Sequence, residues 1–374
     1  VENEIKVCKR CICDETIPKI SFDSEGVCNY CRLHDEMERK YPISDEIVDN
    51  ILREIKGNSS KKYDCVIGIS GGCDSSYLLW KLCEFGIRPL AVHWDNHWNS
   101  DIAERNMHRM VTELEVDFIR VEANKKEYDD ICRAFLFAST PDADIANDIA
   151  LTTVLYDVAD SFGIKYIING HSFRTEGTSP LGWTYMDGKY IESVHEKFGT
   201  VPLKTFPNLT MERWLKWLEA GIKRVRLLYH MNYIKSEAKK ELHKNFGWEW
   251  YGSHHAENRY TKFVGKYLWV KKFGIDYRKI EYSALVRSGQ MDRDDALEKI
   301  KNPIEIESDI IDEVKRRLHL TDEQFNEILK MPIKTYSDYE TYHDYFRRNK
   351  DMFKKLLDDG MIPETFYKKY VEGV

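Results

Sequence analysis

Four short apolar runs alternate with stretches of helical spacing, and this alternation constrains the fold more than any other feature. Asp64–Ile69, Pro89–Trp94, Phe118–Val121 and Tyr166–Asn169 read as buried strands. Asp74–Phe85, Ile102–Leu114 and Ile145–Phe162 place apolar residues at helical intervals. Strands that alternate with helices predict βαβ units and a parallel sheet. Ligands of such sheets bind beyond the carboxyl ends of the strands. Chemistry is therefore expected in the loops after Ile69, Trp94 and Ile168.

The first of these loops is Ser70-Gly71-Gly72-Cys73-Asp74-Ser75-Ser76. It follows a strand and opens a helix. Two glycines let the backbone approach an oxyanion, and amides at a helix start favour negative charge. Ser70, Ser75 and Ser76 add hydroxyl donors. Asp74 either caps the helix or holds Mg²⁺. The loop lacks the G-x-x-x-x-G-K-[ST] form of the Walker motif.

Five of the nine cysteines fall within the first 31 residues. Cys8-x2-Cys11 and Cys28-x2-Cys31, separated by sixteen residues, have zinc-ribbon spacing. Two knuckles of this kind complete a tetrahedron of thiolates, which leaves no open position, so the expected Zn²⁺ is structural. A metal also explains how a segment without a core of its own can fold. Cys13 breaks the spacing and is expected to be free. An odd cysteine count with this clustering indicates reduced thiols and a metal site, and hence a cytoplasmic protein.

The 374 residues divide into a cysteine-rich segment (1–45), an α/β segment (46–205) and a mostly helical, aromatic-rich region (206–374). Residues 303–374 read as paired amphipathic helices whose charges form solvated faces. No apolar run approaches the ~20 residues of a membrane span. Val1-Glu2-Asn3-Glu4 lacks the basic-then-apolar pattern of a secretory leader. A net charge of -7 disfavours nucleic acid as a partner.

The Ser70–Ser76 loop resembles the PP-loop of the ATP pyrophosphatase superfamily, which includes GMP synthetase, asparagine synthetase and tRNA thiolases. The resemblance implies an adenine nucleotide α-hydrolase-like domain that cleaves ATP between its α and β phosphates. Further segments resemble the N-acetyl sugar amidotransferase family: Cys8–Cys11 with Phe22–Cys28, Asp95–Ser100, Asn169–Gly177, Tyr251–Phe263 and Ser283–Gln290. Together they span most of residues 6–300. Two departures are a His at position 97, where the family carries Gly, and a different spelling of Pro141–Asp148. Either bears on which sugar is bound.

This resemblance implies an ATP-dependent amidotransferase. It would turn the N-acetyl group of a nucleotide-activated bacterial sugar into an acetamidino group for surface glycans, such as lipopolysaccharide or glycosylated flagellin. An amide carbonyl is a poor electrophile. Adenylylating its oxygen supplies a leaving group that ammonia can displace.

Under this reading Ser70, Gly71, Gly72, Asp74 and Ser75 hold the phosphates of ATP, and the backbone near Val92 and His93 meets adenine. Asp95 holds Mg²⁺ or a ribose hydroxyl, or is a turn residue. Beyond the fourth strand, His171 contacts substrate, Arg174 neutralises phosphate and Glu176 orients ammonia or takes its proton. The alternative for this loop is a set of internal salt bridges. His254, His255, Glu257, Arg259 and Lys262 are expected to touch the sugar substrate or to be structural. Trp183 and Tyr185 either stack on a ligand or pack in the core.

The chain carries no recognisable glutaminase nucleophile. Ammonia is expected from solution or from a separate glutaminase, and the resemblance suggests a cyclase-like subunit beside it. Two other functions compete. A PP-loop tRNA thiolase would need a sulfur-carrying cysteine or an iron–sulfur cluster near the loop; Cys65, Cys73 and Cys132 are available, but the sequence shows no third C-x2-C. A non-catalytic zinc-ribbon scaffold would have no need of the loop.

Overall fold

A computed structural model describes residues 5–57, 62–180, 182–253 and 255–373. The expectation about a leader, read from residues 1–4, lies outside them. Five strands form one parallel sheet: β1 (Cys65–Gly68), β2 (Pro89–Asp95), β3 (Phe118–Glu122), β4 (Tyr166–Ile168) and β5 (Lys223–Val225), in the order β3-β2-β1-β4-β5. The register places Val66 opposite both Leu90 and Ile167, and Ile167 opposite Arg224.

Alternation along each strand divides the core in two. Val66, Leu90, Val92, Trp94 and Ile167 face one apolar cluster. Cys65, Ile67, Ala91, Tyr166 and Ile168 face the other. The expected helices form at Cys73–Glu84, Asp101–Glu113 and Ile145–Ser161. Ser100 caps the second by accepting from the Ala103 amide. The helix Lys125–Ala138 and strand β5 were not expected. Lys-Arg-Val is too short and polar to read as a strand, and an edge position tolerates that composition. The sheet thus extends past residue 205 to residue 225.

The C-terminal helices do not stand apart. Ile310, Val314, Phe325, Phe346 and Phe353 join the same cluster as one face of the sheet. Their charges are not all solvated, contrary to the sequence reading. Arg317 is 6% exposed, stacks 3.5 Å from the Trp98 ring and donates to Asp129 at 2.8 Å. Trp183 and Tyr185 are core residues, and Tyr185 stacks 4.3 Å from Tyr336. Among the described residues no helix is long and apolar enough to cross a membrane. The architecture is a parallel α/β domain flanked by an N-terminal cysteine cluster and a helical C-terminal region.

Candidate active site

Connections from β1 run outward through β2 to β3, then return to β4 on the other side of β1. The carboxyl end of β1 is therefore beside the topological switch point, where open α/β sheets bind ligands. The glycine-rich loop sits there. Gly71 has φ +75°, and a β-carbon on it would lie 2.3 Å from the Ala103 carbonyl oxygen. A β-carbon at Gly72 would approach Glu257 Oε1 and Ser70 Oγ to 3.0 Å. Neither position accepts a side chain without rearrangement. Trp248 Nε1 and Asn106 Nδ2 both donate to the Gly71 carbonyl, at 3.0 and 3.2 Å. Ser75 Oγ donates to the Gly72 carbonyl at 3.3 Å.

Asp74 opens the helix after the loop and accepts from Tyr233 Oη at 2.6 Å and Lys235 Nζ at 2.9 Å. Burial opposes its charge, but Lys235 and Tyr233 outweigh that and hold the carboxyl below its ordinary value.

A cavity of about 1240 Å³ opens from this loop. Ser70, His93, His171, Glu176, His255, Glu257 and Lys262 line it. Past β4, His171 Nδ1 lies 3.0 Å from Tyr229 Oη. Burial, then the charge of Arg226, depresses His171 to about 3, so the ring is neutral. Glu176 accepts from the Ser172 amide at 3.2 Å. Burial, reinforced by Asp74, raises its carboxyl to about 7. The His255 side chain is half-exposed, at 49%; desolvation by the cavity walls lowers it, but Glu257 and Glu176 prevail and raise it to about 9. Glu257 Oε1 accepts from Ser70 Oγ at 3.3 Å. Its Oε2 is shielded from solvent and has no hydrogen-bond partner among the described residues. Lys262 lines the cavity while donating to Glu307 at 2.6 Å.

Other expected site residues are placed elsewhere. Arg174 is buried off the cavity wall. It donates to Glu38 at 2.7 and 2.6 Å and to the carbonyls of Tyr229 and Tyr41. Arg259 pairs with Asp309 and Glu313 on a different face. The Val92 side chain is in the core, and its carbonyl accepts from the Ile69 amide at 2.9 Å. Asp95 accepts from Arg120 at 3.0 Å, the His97 amide at 2.8 Å and Asn99 at 3.3 Å. With His93 and Glu104 it forms a cluster of cation-ligand type, but the Asn99 amide already sits among all three. His254 lies outside the described residues.

Sequence reasoning missed Lys235, Tyr233 and Tyr251, the last of which accepts from the Cys73 amide at 3.3 Å. Tyr233 and Lys235 come from a region with no motif of its own, and Tyr251 opens the Tyr251–Phe263 segment without having been singled out. It also missed Arg224 and Arg226, which line the cavity from the end of β5; an R-x-R spacing on an unrecognised strand was the available sign.

The cysteine cluster passes a geometric test for zinc. Cys8–Cys31, Cys11–Cys28 and Cys28–Cys31 sulfur pairs are 3.8, 3.7 and 3.7 Å apart, and all four sulfurs lie within 4.8 Å of one another. A tetrahedron with Zn–S of ~2.3 Å has edges of about 3.8 Å. Arg287, from the helix Arg278–Arg287, donates to Cys11, Cys13 and Cys31 sulfurs at 3.2, 3.2 and 3.3 Å. Cys13 is therefore beside the cluster but outside the set of four.

Residues 257–357 match the family model described as LPS biosynthesis protein WbpG-like, C-terminal domain. No curated protein matches the chain. Similar solved structures include an NMN synthetase from Francisella tularensis, at 12% identity over 80% of this chain and 97% of that one, with a TM-score of 0.36. A predicted subunit of tRNA methyltransferase from Methanocaldococcus jannaschii matches at 13% identity over 57% and 91%, with a TM-score of 0.30. An NH3-dependent NAD synthetase from Campylobacter jejuni matches at 17% identity over 58% and 95%, with a TM-score of 0.26. Residues 257–357 are thus similar to the C-terminal domain of WbpG-like proteins of LPS biosynthesis, in agreement with the N-acetyl sugar amidotransferase family that the motifs resemble.

Proposed function

We propose that the protein is an ATP-dependent amidotransferase that converts the acetamido group of a nucleotide-activated sugar into an acetamidino group. One observation carries this reading: Ser70 of the glycine-rich loop and residues of the WbpG-like segment, Glu257 and Lys262 among them, wall the same cavity. The amide oxygen attacks the α phosphorus of ATP, and pyrophosphate leaves. Ammonia adds to the imidate carbon, the C–O bond breaks, and AMP departs with that oxygen.

The loop amides and Ser75 seat the β and γ phosphates at the start of the helix Cys73–Glu84. Mg²⁺, bound with ATP beside Asp74, would supply charge neutralisation there. Adenine is directed toward His93 and the end of β2. Glu176, raised to about 7 by burial, accepts the proton that the adding ammonia sheds. His255 and Lys262 supply positive charge facing the substrate. Arg174 serves by holding the Phe173–Glu176 turn, because its guanidinium is committed to Glu38. Ammonia would come from a separate glutaminase, and the ATP and nucleotide-sugar substrates fit a cytoplasmic enzyme.

Thiolase chemistry finds less support. Among the described residues no cysteine lines the cavity. Burial pushes the Cys73 thiol up to about 12, which suppresses the reactive thiolate.

The test is mass spectrometry of candidate nucleotide sugars after incubation with ATP, Mg²⁺ and ammonium. Replacement of O by NH lowers the sugar mass by about one unit, through displacement of AMP from the activated amide. AMP and pyrophosphate should appear in equal amounts. Release of ADP and orthophosphate, or no acceptor-dependent AMP, refutes the reading.

A further inference from the structure

Two arginines on the cavity wall have no ion pair among the described residues. Arg224 lies in β5 and Arg226 just past its end. Residues two apart on a strand leave the same face, so both side chains address one region. Among the described residues neither makes a salt bridge or a side-chain hydrogen bond, and Arg226 Nε is shielded from solvent without an acceptor. The third arginine of the wall, Arg278, is satisfied by Asp276 at 2.7 Å. An unpaired guanidinium in a partly enclosed cavity is costly unless a ligand completes it. Its planar fork matches an oxyanion, phosphate or carboxylate, bidentately.

Position distinguishes this pair from the ATP phosphate site. β5 pairs with β4, and β4 with β1. The pair is therefore two strands from the glycine-rich loop, roughly 10 Å at ordinary strand spacing. The strand order reverses between β1 and β4, so β1 and β2 lie on one side of the switch point and β4 and β5 on the other. His171, at the end of β4, feels both Arg226 and Asp74 and so lies between the two halves.

We infer that Arg224 and Arg226 form the oxyanion subsite for the acceptor, gripping the phosphate or the sugar carboxylate of a nucleotide-activated sugar. This rests on the amidotransferase reading, and it gives the acceptor the phosphate-binding group that Arg174 does not provide.

The test measures calorimetric affinity of wild type, Arg224→Ala, Arg226→Ala and Arg226→Lys for four probes: UDP, UDP-N-acetylglucosaminuronic acid, CMP-N-acetylneuraminic acid and ATP. At least one non-ATP probe should bind wild type and lose tenfold or more in each alanine variant. ATP affinity should stay within twofold, which also shows that the variants fold. Arg226→Lys should lose less than Arg226→Ala, since it keeps charge but not the fork. Equal loss for UDP and the UDP-linked acid identifies the phosphate as the gripped group; loss for acidic sugars alone identifies the carboxylate. Unchanged affinity for every probe, no non-ATP binding to wild type, or a parallel loss for ATP overturns the inference. Acceptor-dependent AMP release by wild type is scored separately, so the subsite can fail while the amidotransferase reading stands.

Discussion

Lys235 donates to the Asp74 carboxylate across 2.9 Å, and both side chains are largely withdrawn from water, at 7% and 16% exposure. The pair joins the start of the phosphate-loop helix to the start of the helix Lys235–Phe246. Burial alone would neutralise Asp74; the ammonium keeps it charged beside the phosphates.

Removing the ammonium leaves the Asp74 carboxylate buried with the Tyr233 hydroxyl but without this opposite charge, at a cost of about 3–5 kcal/mol. Lys235→Met should therefore lower unfolding stability by roughly that amount in urea titrations. Asp74→Asn keeps the shape and should fold, yet cut turnover by about two orders of magnitude or more, as loss of one electrostatic group at a transition state does. A Lys235→Met variant as stable as wild type would show that the pair is solvated.

Glu176 gives a pH prediction. Burial, then Asp74, raises its carboxyl to about 7, above the ordinary range. The folded state thus holds this proton more tightly than the unfolded chain. Its contribution to stability is full below the ordinary carboxyl pKa and is lost as pH rises through about 7. Glu176→Gln should therefore melt above wild type at pH 8, with the gap closing toward pH 5. Turnover should behave oppositely. Wild-type activity falls as acid protonates Glu176 near pH 7, whereas the Gln variant is slow throughout and lacks that inflection. Identical melting differences at both pH values would remove the shift.

The strands β1 to β4 and their helices were legible because a parallel sheet buried on both faces needs apolar runs, and here they are uninterrupted from Cys65 to Ile69 and from Pro89 to Val92. The phosphate loop was legible because only glycine fits at position 71. β5 was not, since an edge strand needs backbone pairing more than apolar side chains. The Arg174 contact with Glu38 joins residues 136 apart in sequence, and no local pattern reports such a distance. His97 shows a finer point. It has φ +61°, a left-handed conformation that favours glycine, the residue that the resembled family is expected to carry there. Here its ring, 2.9 Å from the Ala123 carbonyl, and its amide, donating to Asp95 at 2.8 Å, hold the strained backbone.

The cysteine cluster supports a prediction about Arg287. Four thiolates around Zn²⁺ carry a net charge of two minus, and the Arg287 fork faces three sulfurs of the cluster region. Groups of this kind orient ligands, and their loss typically weakens metal affinity about 10–100-fold. Purified protein should contain one zinc per chain by elemental analysis, and Arg287→Gln should release it to a chromogenic chelator at correspondingly lower chelator concentration. Cobalt substitution should give the absorption of tetrahedral thiolate in both proteins. Wild-type protein without zinc, or equal metal retention by the variant, would contradict this.

The nitrogen donor follows from what lines the cavity. Hydrolysing glutamine to release ammonia generally takes a nucleophilic side chain with an activated pKa. Among the described residues no cysteine reaches the cavity wall, and Cys73, the thiol in the phosphate loop, is pushed up to about 12 by burial. The chain should therefore use ammonium salts and fail with glutamine. Only the free base attacks, so the rate should keep rising with pH above the Glu176 inflection, toward the pKa of ammonium. Adding a separate glutaminase should restore glutamine use at ammonium levels too low for free diffusion, because delivery into an enclosed site raises the effective concentration. The assay compares glutamine and ammonium as sole donors for the pure chain, with AMP release as the readout. Glutamine-dependent turnover by the chain alone would mean that a nucleophile other than a wall cysteine does this chemistry, and Cys13, the thiol beside but outside the metal set, would be the first residue to replace.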